Sequence, residues 1–243
     1  MAHIPYRRIV PGANIAVVLI HGILGTPNHF LPFLPLIPEN VSVVNLLLDG
    51  HGAGVREFSR TSMAKWESQL NTAVDSVLAT HQKVYLVGHS LGTLLAIEQA
   101  VKKPIAGLFL LAVPICLGIK PRVFSTCWKV WQGKVKDTDL YTRAAMDCCG
   151  IQQHKNLLLY LGWIPRFLDL FVKIRKTKKL LPELTVPATA YQSAKDELVS
   201  RASVPYLEKH SDLRIRVLEH STHYYYGPED LSFLQEKFSS FLQ

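Results

Sequence analysis

Four short apolar runs set the pattern of the first half of the chain: residues 15–20 (IAVVLI), 41–48 (VSVVNLLL), 83–87 (KVYLV) and 105–112 (IAGLFLLA). Unbroken apolar runs of this length, rich in β-branched residues and flanked by Gly, Pro or Asn, predict strands buried on both faces, as in a parallel sheet. Between the second and third runs, residues 62–81 carry Trp66, Leu70, Ala73, Val74 and Val77 at helical spacing. Residues 91–103 repeat that period with Leu94, Leu95, Ile97 and Val101 until Pro104 stops it. Strand alternating with helix predicts right-handed crossovers and a mostly parallel, doubly wound α/β sheet.

The rhythm returns late, with strands expected at 186–191 and 213–218 and helices at 201–210 and 228–242. In between, residues 114–182 lack β-like runs and hold three of the four tryptophans, Trp128, Trp131 and Trp163, with apolar runs at 157–161 and 167–172. A structureless loop of that length is abnormal inside a compact domain, so the stretch should carry its own helices. The expected organisation is a core built from 1–113 and 183–243 with a helical cap inserted at 114–182.

Composition adds limits. A chain of 243 residues suits one large domain with an insertion and buries enough surface to need neither disulfides nor metal. Its four cysteines (Cys116, Cys127, Cys148, Cys149) form no CxxC pair and read as reduced thiols. The first residues lack the apolar stretch of a signal peptide, and the longest apolar stretch, 105–119, is broken by Pro114 and is shorter than the roughly 20 residues of a membrane span. A cytoplasmic protein is expected. The net charge of +8 is concentrated: residues 120–179 hold 13 Lys and Arg against 4 Asp, so the cap carries the excess. Charge segregated in this way concerns partners more than folding.

The strongest chemical signal is Gly88-His89-Ser90-Leu91-Gly92, a GxSxG set placed directly after a predicted strand and directly before a predicted helix. Such a turn lifts the serine above the sheet in a strained conformation and leaves no room for side chains at the glycines. A serine hydroxyl is a weak nucleophile until a base takes its proton, so the chemistry requires a histidine and an acid to orient it. His223, between the last strand and the last helix, is the expected base, with His220 as its rival. Asp196, just after the strand at 186–191, is the expected acid, with Glu197 able to replace it on chemistry alone. For the oxyanion, the backbone N–H groups of Ile23, in the turn His21-Gly22-Ile23-Leu24-Gly25, and of Leu91, at the start of the elbow helix, are the expected donors. The other histidines have plainer readings: His21 and His51 precede glycines in turns, and His89 points away from its serine.

Together HGILG, Leu48-Asp49-Gly50-His51-Gly52, GHSLG, Thr61 with Trp66, the Asp196 loop and His223 resemble the α/β-hydrolase fold. The closer resemblance is to the monoacylglycerol lipase, lysophospholipase and small carboxylesterase group, and it covers about 1–113 and 183–243. It implies a serine hydrolase acting on carboxylic esters through an acyl-enzyme, without cofactor or metal. Thioesterase or aminopeptidase chemistry on the same Ser-His-Asp set, or a silent binding module on this fold, are the alternatives. Relatives often have an aromatic residue where Ile23 stands; the amide donor is unaffected. The cap matches nothing in that group, and Trp128, Trp131 and Trp163 are its candidate substrate contacts.

Three further classes are disfavoured. A dehalogenase needs Asp as nucleophile, a metallohydrolase needs clustered ligands, and a nucleic-acid binder should show a recognition motif beside its basic residues. The basic cap, with Lys173, Arg175, Lys176, Lys178 and Lys179 crowded at one end, leaves two readings: peripheral contact with an anionic membrane surface or capture of an acidic substrate, and a solvated basic helix whose apolar side covers the active site.

Overall fold

A computed structural model describes residues 3–211 and 213–242; residues 1, 2, 212 and 243, which belong to the expected core segments 1–113 and 183–243, lie outside the described residues. Seven strands form one sheet: β1 (Tyr6–Arg8), β2 (Ile15–Ile20), β3 (Ser42–Asn45), β4 (Lys83–His89), β5 (Gly107–Leu111), β6 (Ala188–Ser193) and β7 (Arg214–Leu218). Their order is β1-β3-β2-β4-β5-β6-β7, with β1 antiparallel to β3 and every other pair parallel. This is the doubly wound sheet that the alternation of runs predicts.

The pleat divides each central strand between two cores. Ala16, Val18 and Ile20 of β2, Val84 and Leu86 of β4, and Leu108 and Leu110 of β5 face one side, where they meet α2 (Met63–Leu78) and α3 (Leu91–Lys102). Val17, Leu19, Val87, Phe109 and Leu111 face the other, against Phe30, Phe33 and the helix over Pro228–Phe241. Burial on both faces is why these strands read as unbroken apolar runs rather than as alternating ones. In α2 the buried Met63, Trp66, Leu70, Val74 and Val77 recur every three to four residues, and the Ser62 side chain caps the helix by accepting from the Lys65 amide.

Three sequence readings change. The run at 41–48 was expected to be all strand, but β3 ends at Asn45, because the Leu48 amide donates to the His21 ring at 3.0 Å and the chain turns away. The edge strand β1 was not expected, since Tyr6-Arg7-Arg8 is polar and half its pairing potential faces solvent. A short α1 (Val55–Arg60) precedes α2 and was also not expected.

The stretch 114–182 holds α4 (Arg122–Trp131), α5 (Leu140–Asp147), a 3-10 segment (Leu157–Trp163) and α6 (Ile164–Leu180). The pieces differ in how they pack. No residue of α4 is buried, whereas α6 sends Leu170 and Ile174 into the main core and works as the crossover helix between β5 and β6. After β6 come α7 (Ser203–His210), β7 and α8 (Pro228–Phe241).

The basic residues near the end of the 114–182 stretch do not share one surface. Lys173 is not on the surface; it is buried on the inner face of α6 and pairs with Glu67 of α2 at 2.8 Å and with Glu98 of α3. Lys178 lies over the Tyr206 ring of α7 at 4.6 Å. Arg175, Lys176 and Lys179 remain exposed.

Candidate active site

The elbow is built as the motif requires. Ser90 falls between β4 and α3 with φ 52° and ψ −120°, a conformation costing a non-glycine residue about 1–3 kcal/mol. Main-chain bonds hold it there: the Ser90 amide donates to the Leu111 carbonyl at 2.9 Å, and the Ser90 carbonyl accepts from the Thr93 amide and hydroxyl. A side chain at Gly92 would overlap the Ile20 carbonyl oxygen, and a Cβ on Gly22 would stand 2.9 Å from the Ser90 Cβ. The turn after β2 is therefore packed directly on the serine.

His223 lies in the loop between β7 and α8, with its Nδ1 2.9 Å from Asp196 Oδ2 and both side chains 2% exposed. The other Asp196 oxygen accepts from the amides of Leu198 and Val199, each at 2.8 Å, which fixes the carboxylate against rotation. Burial opposes a charge on His223, but the Asp196 carboxylate, through its charge and hydrogen bond, and Glu197 beside it outweigh that penalty and hold the imidazole above its ordinary 6.5. Burial likewise works against the charged Asp196, and His223 with the two amides overcomes it, leaving the carboxyl below its ordinary range. The result is a buried imidazole with its tautomer set by an acceptor on Nδ1.

The rivals are placed elsewhere. Glu197 accepts from the His223 backbone amide at 3.2 Å and so steadies the loop rather than the ring. His220 is exposed, and its amide donates to Asp230 at 2.8 Å.

Further histidines surround this pair, among them His29, which the sequence left without a reading. His89 of the elbow bonds through Nε2 to the His223 carbonyl at 2.9 Å, and the His29 ring stacks on it at 3.7 Å while bonding the Tyr226 hydroxyl at 2.9 Å. Burial drives His29 down to about 3 and His89 well below 6.5, so both rings are neutral supports for the loop. His29 follows the turn closed by Thr26-Pro27 by only two residues, which was the one signal available for it. His21 joins two turns: its Nδ1 donates to the Gly22 carbonyl at 2.8 Å and its Nε2 accepts from Leu48. Thr61 and Trp66 clamp the neighbouring turn through the Asp49 carboxylate at 2.7 Å and the Asp49 carbonyl at 2.8 Å.

Next to the serine, the turn from Gly22 closes with the Gly25 amide on the Gly22 carbonyl at 3.0 Å and places Leu24 at φ 58°. Among the described residues, the amides of Ile23 and Leu91 donate to no protein acceptor. The three tryptophans do not share one site. Trp128 and Trp131 stack at 5.3 Å on α4, and Trp131 lines an open cavity of about 460 Å³ with Met146, Cys149 and Ile151. Trp163 packs on Phe58 and donates to the Val55 carbonyl at 3.2 Å, tying its segment to α1. The four cysteines are unpaired, and burial pushes Cys148 up to about 12, which leaves its thiol protonated and poorly nucleophilic. Among the described residues no group of three or more His, Cys, Asp or Glu could hold a metal ion.

Residues 17–230 match the Alpha/beta hydrolase family. The chain belongs to that family. Among solved structures, this family member is similar to one reported with LipS and LipT, two metagenome-derived lipolytic enzymes, at 16% identity and TM-score 0.75, covering 99% of this chain and 97% of the other. It is similar to the monoacylglycerol lipase of Paleococcus ferrophilus at 17% identity and TM-score 0.71, covering 98% and 97%. A carboxylesterase structure from the thaumarchaeon Nitrososphaera gargenis gives 16% identity and TM-score 0.67, covering 98% and 92%. A comparison with curated protein sequences gave no match. At these identities the likeness concerns the hydrolase fold.

Proposed function

We propose that this family member is a serine hydrolase that cleaves carboxylic esters, with Ser90 as nucleophile, His223 as base and Asp196 as its orienting acid. The observation that carries the reading is the buried His223–Asp196 pair at 2.9 Å in the same fold whose strained elbow presents Ser90. Ser90 Oγ attacks the ester carbonyl carbon while His223 Nε2 takes the hydroxyl proton; the tetrahedral oxyanion is received by the free amides of Ile23 and Leu91. Collapse expels the alcohol, protonated by His223, and leaves Ser90 acylated. Water then attacks that acyl group with His223 again as base, and the acid is released. Asp196 stays ionised throughout and stabilises the imidazolium.

The lipase and esterase neighbours favour a monoacylglycerol, lysophospholipid or small acyl ester over a thioester or amide. The test is labelling by an organophosphonate probe together with hydrolysis of a panel of esters and thioesters of graded acyl length. Labelling of wild type and not of Ser90→Ala supports the reading; a folded wild type that neither labels nor hydrolyses any of the panel overturns it in favour of a silent binding module. Four unpaired thiols fit a reducing compartment such as the cytoplasm.

The cap proper is best taken as 114–163, since α6 belongs to the core crossover. A second observation bears on the partner. Leu157, Leu158, Leu161, Ile164, Leu168 and Phe171 form an exposed apolar stripe at helical spacing, ending at the exposed Arg175, Lys176 and Lys179. An apolar face finished by cations complements an anionic lipid surface, and the net charge of +8 opposes self-association through the same face.

A further inference from the structure

Leu24 is a leucine in the left-handed region, with φ 58°, in the very turn that presents the Ile23 amide. A strained residue of this kind persists only where its surroundings over-determine it. The turn's own closure, from the Gly25 amide to the Gly22 carbonyl, fixes one side of Leu24. The other side is fixed from the cap: the Gly150 amide donates to the Leu24 carbonyl at 2.8 Å. The Gly150 carbonyl in turn accepts from the Gly52 amide at 2.6 Å, and two residues on, the Gln152 amide donates to the Ala53 carbonyl at 2.8 Å. One cap residue is thus inserted between the turn beside Ser90 and the turn at 49–53, bonded to the first through its N–H and to the second through its carbonyl.

The fit leaves no slack. A Cβ on Gly150 would collide with the Gly25 carbonyl oxygen and stand 3.2 Å from the Thr26 Cβ, and the next residue, Ile151, is buried in the main core at 4% exposure. The start of the cap is tied to the acid loop instead, through Gly118 to the Leu198 carbonyl and Lys120 to the Glu197 carbonyl, each at 2.9 Å. Of these main-chain ties, the one at Gly150 is the one that bonds the turn carrying Leu24.

We infer that Gly150 is a positioning residue for oxyanion stabilisation, its peptide holding Leu24 in its left-handed conformation and so keeping the Ile23 amide aimed at the site above Ser90. The inference rests on the ester-hydrolase reading. Its consequence is that a disturbance of the cap at 149–152 reaches the transition state rather than the grip on substrate, because the ground-state carbonyl depends less on this donor than the oxyanion does.

The experiment compares wild type with Gly150→Ala on a small, soluble, activated ester. Loss of one oxyanion donor costs about 100- to 1,000-fold, so a displaced donor should lower kcat by about 10- to 100-fold with KM within about threefold. The inhibition constant of a boronic acid that captures Ser90 should rise in step with the fall in kcat, while the midpoint of the pH profile of kcat/KM stays in place because the His223–Asp196 pair is untouched. A kcat within twofold of wild type, a change confined to KM, or a boronate affinity unchanged while kcat falls overturns the inference. If Gly150→Ala does not fold, amide exchange on wild type decides: boronate binding should slow exchange in the peptide containing Gly150 and leave that of α7 unchanged, and no slowing overturns the inference. A wild type that hydrolyses nothing is a failure of the ester-hydrolase reading and is distinct from an active wild type matched by its Gly150→Ala variant.

Discussion

Helices α3 and α4 both carry apolar residues at helical spacing, but α3 buries nine of its 12 residues and α4 buries none. The first is sandwiched between the sheet and its flanking helices, and its first residues complete the elbow at Ser90. The second leaves Phe124 and Trp128 70% and 58% exposed and is steadied by contacts such as the Arg122 guanidinium over the Tyr141 ring. Apolar residues on a helix therefore have two destinations. In the sheet domain they build a rigid frame around the elbow, and in the 114–163 stretch they leave apolar surface exposed. Apart from the main-chain tie at Gly150, reaction chemistry should respond to changes in the first region, and the choice of physical form of the substrate to changes in the exposed face of the second.

The largest effect should come from the elbow. Ser90→Ala should lower turnover of a small neutral ester by about 10⁴-fold or more while the circular dichroism spectrum is retained. A folded Ser90→Ala variant with most of the wild-type rate would remove the mechanism and with it the contrast between the two regions.

Next come the paired candidates. His223→Ala should be comparably damaging and His220→Ala close to neutral, because the first ring is buried on Asp196 and the second is exposed. Asp196→Asn should lose about 10³- to 10⁴-fold by disturbing the tautomer of His223. Glu197→Gln should cost far less, since Glu197 holds only the His223 amide. Steady-state rates of the four variants on one ester check the ranking; a severe His220→Ala or a mild Asp196→Asn reverses the assignment. In the pH profile the rate should rise as His223 loses its proton, with a midpoint above 6.5. Stability follows a different sign for each group. The raised His223 contributes stability fully below 6.5 that fades as the pH rises through its folded value. His29, lowered to about 3, is neutral when folded and takes up a proton when unfolded, so the fold loses stability as pH falls from 6.5 towards 3. His29→Phe should flatten that acid limb in thermal melts.

Much of this frame was legible in the sequence for a physical reason. A strand buried on both faces has to be continuously apolar, and a strand-to-helix turn with a serine at its apex has to be flanked by glycines, so β2, β4, β5 and the elbow wrote themselves in local patterns. The pairing of the candidates His223 and Asp196 had a sequence signal in their places after β7 and β6. What escaped were relations between distant residues. Nothing local marks that His29 stacks on His89, that Gly150 bonds Leu24, or that Lys173 turns inwards to Glu67 and Glu98 while Arg175 and Lys176 turn out. A helix through a run of lysines exposes them by rotation, not by composition, and the rotation of α6 was decided by where Leu170 and Ile174 found the core.

That buried lysine gives the next test. Its partners are only partly buried, with side-chain exposures of 34% for Glu67 and 16% for Glu98, so water can reach them when the lysine is removed. Lys173→Met should therefore destabilise by less than the about 3–5 kcal/mol of a wholly buried pair, near 2 kcal/mol. For a domain of this size that is a fall of about 4–8 °C in Tm, with little change in kcat. An unchanged Tm would put Lys173 back on the surface with the other basic residues.

The smallest effect on chemistry, and the most selective, should come from the stripe on the 3-10 segment and α6. Leu158, Leu161 and Leu168 are 72%, 60% and 58% exposed, so replacing all three with Ser removes apolar surface that the folded chain does not use. Each exposed leucine moved into a lipid interface is worth about 1.5–3 kcal/mol at full burial, and each nearby cation about 1 kcal/mol against anionic lipid. Leu158→Ser/Leu161→Ser/Leu168→Ser should thus weaken binding to anionic vesicles at least tenfold and slow turnover of a lipid ester dispersed in them, while turnover of a dissolved short ester stays within about twofold. Arg175→Glu/Lys176→Glu/Lys179→Glu should weaken the same binding by a smaller factor that disappears in high salt, because only the charged contribution is screened. Cosedimentation with vesicles of anionic and of neutral lipid, read beside the two turnover rates, separates the cases. Loss of the dissolved-ester rate along with the vesicle rate would mean that the stripe roofs the active site, and the insertion would then belong to the same rigid frame as α3.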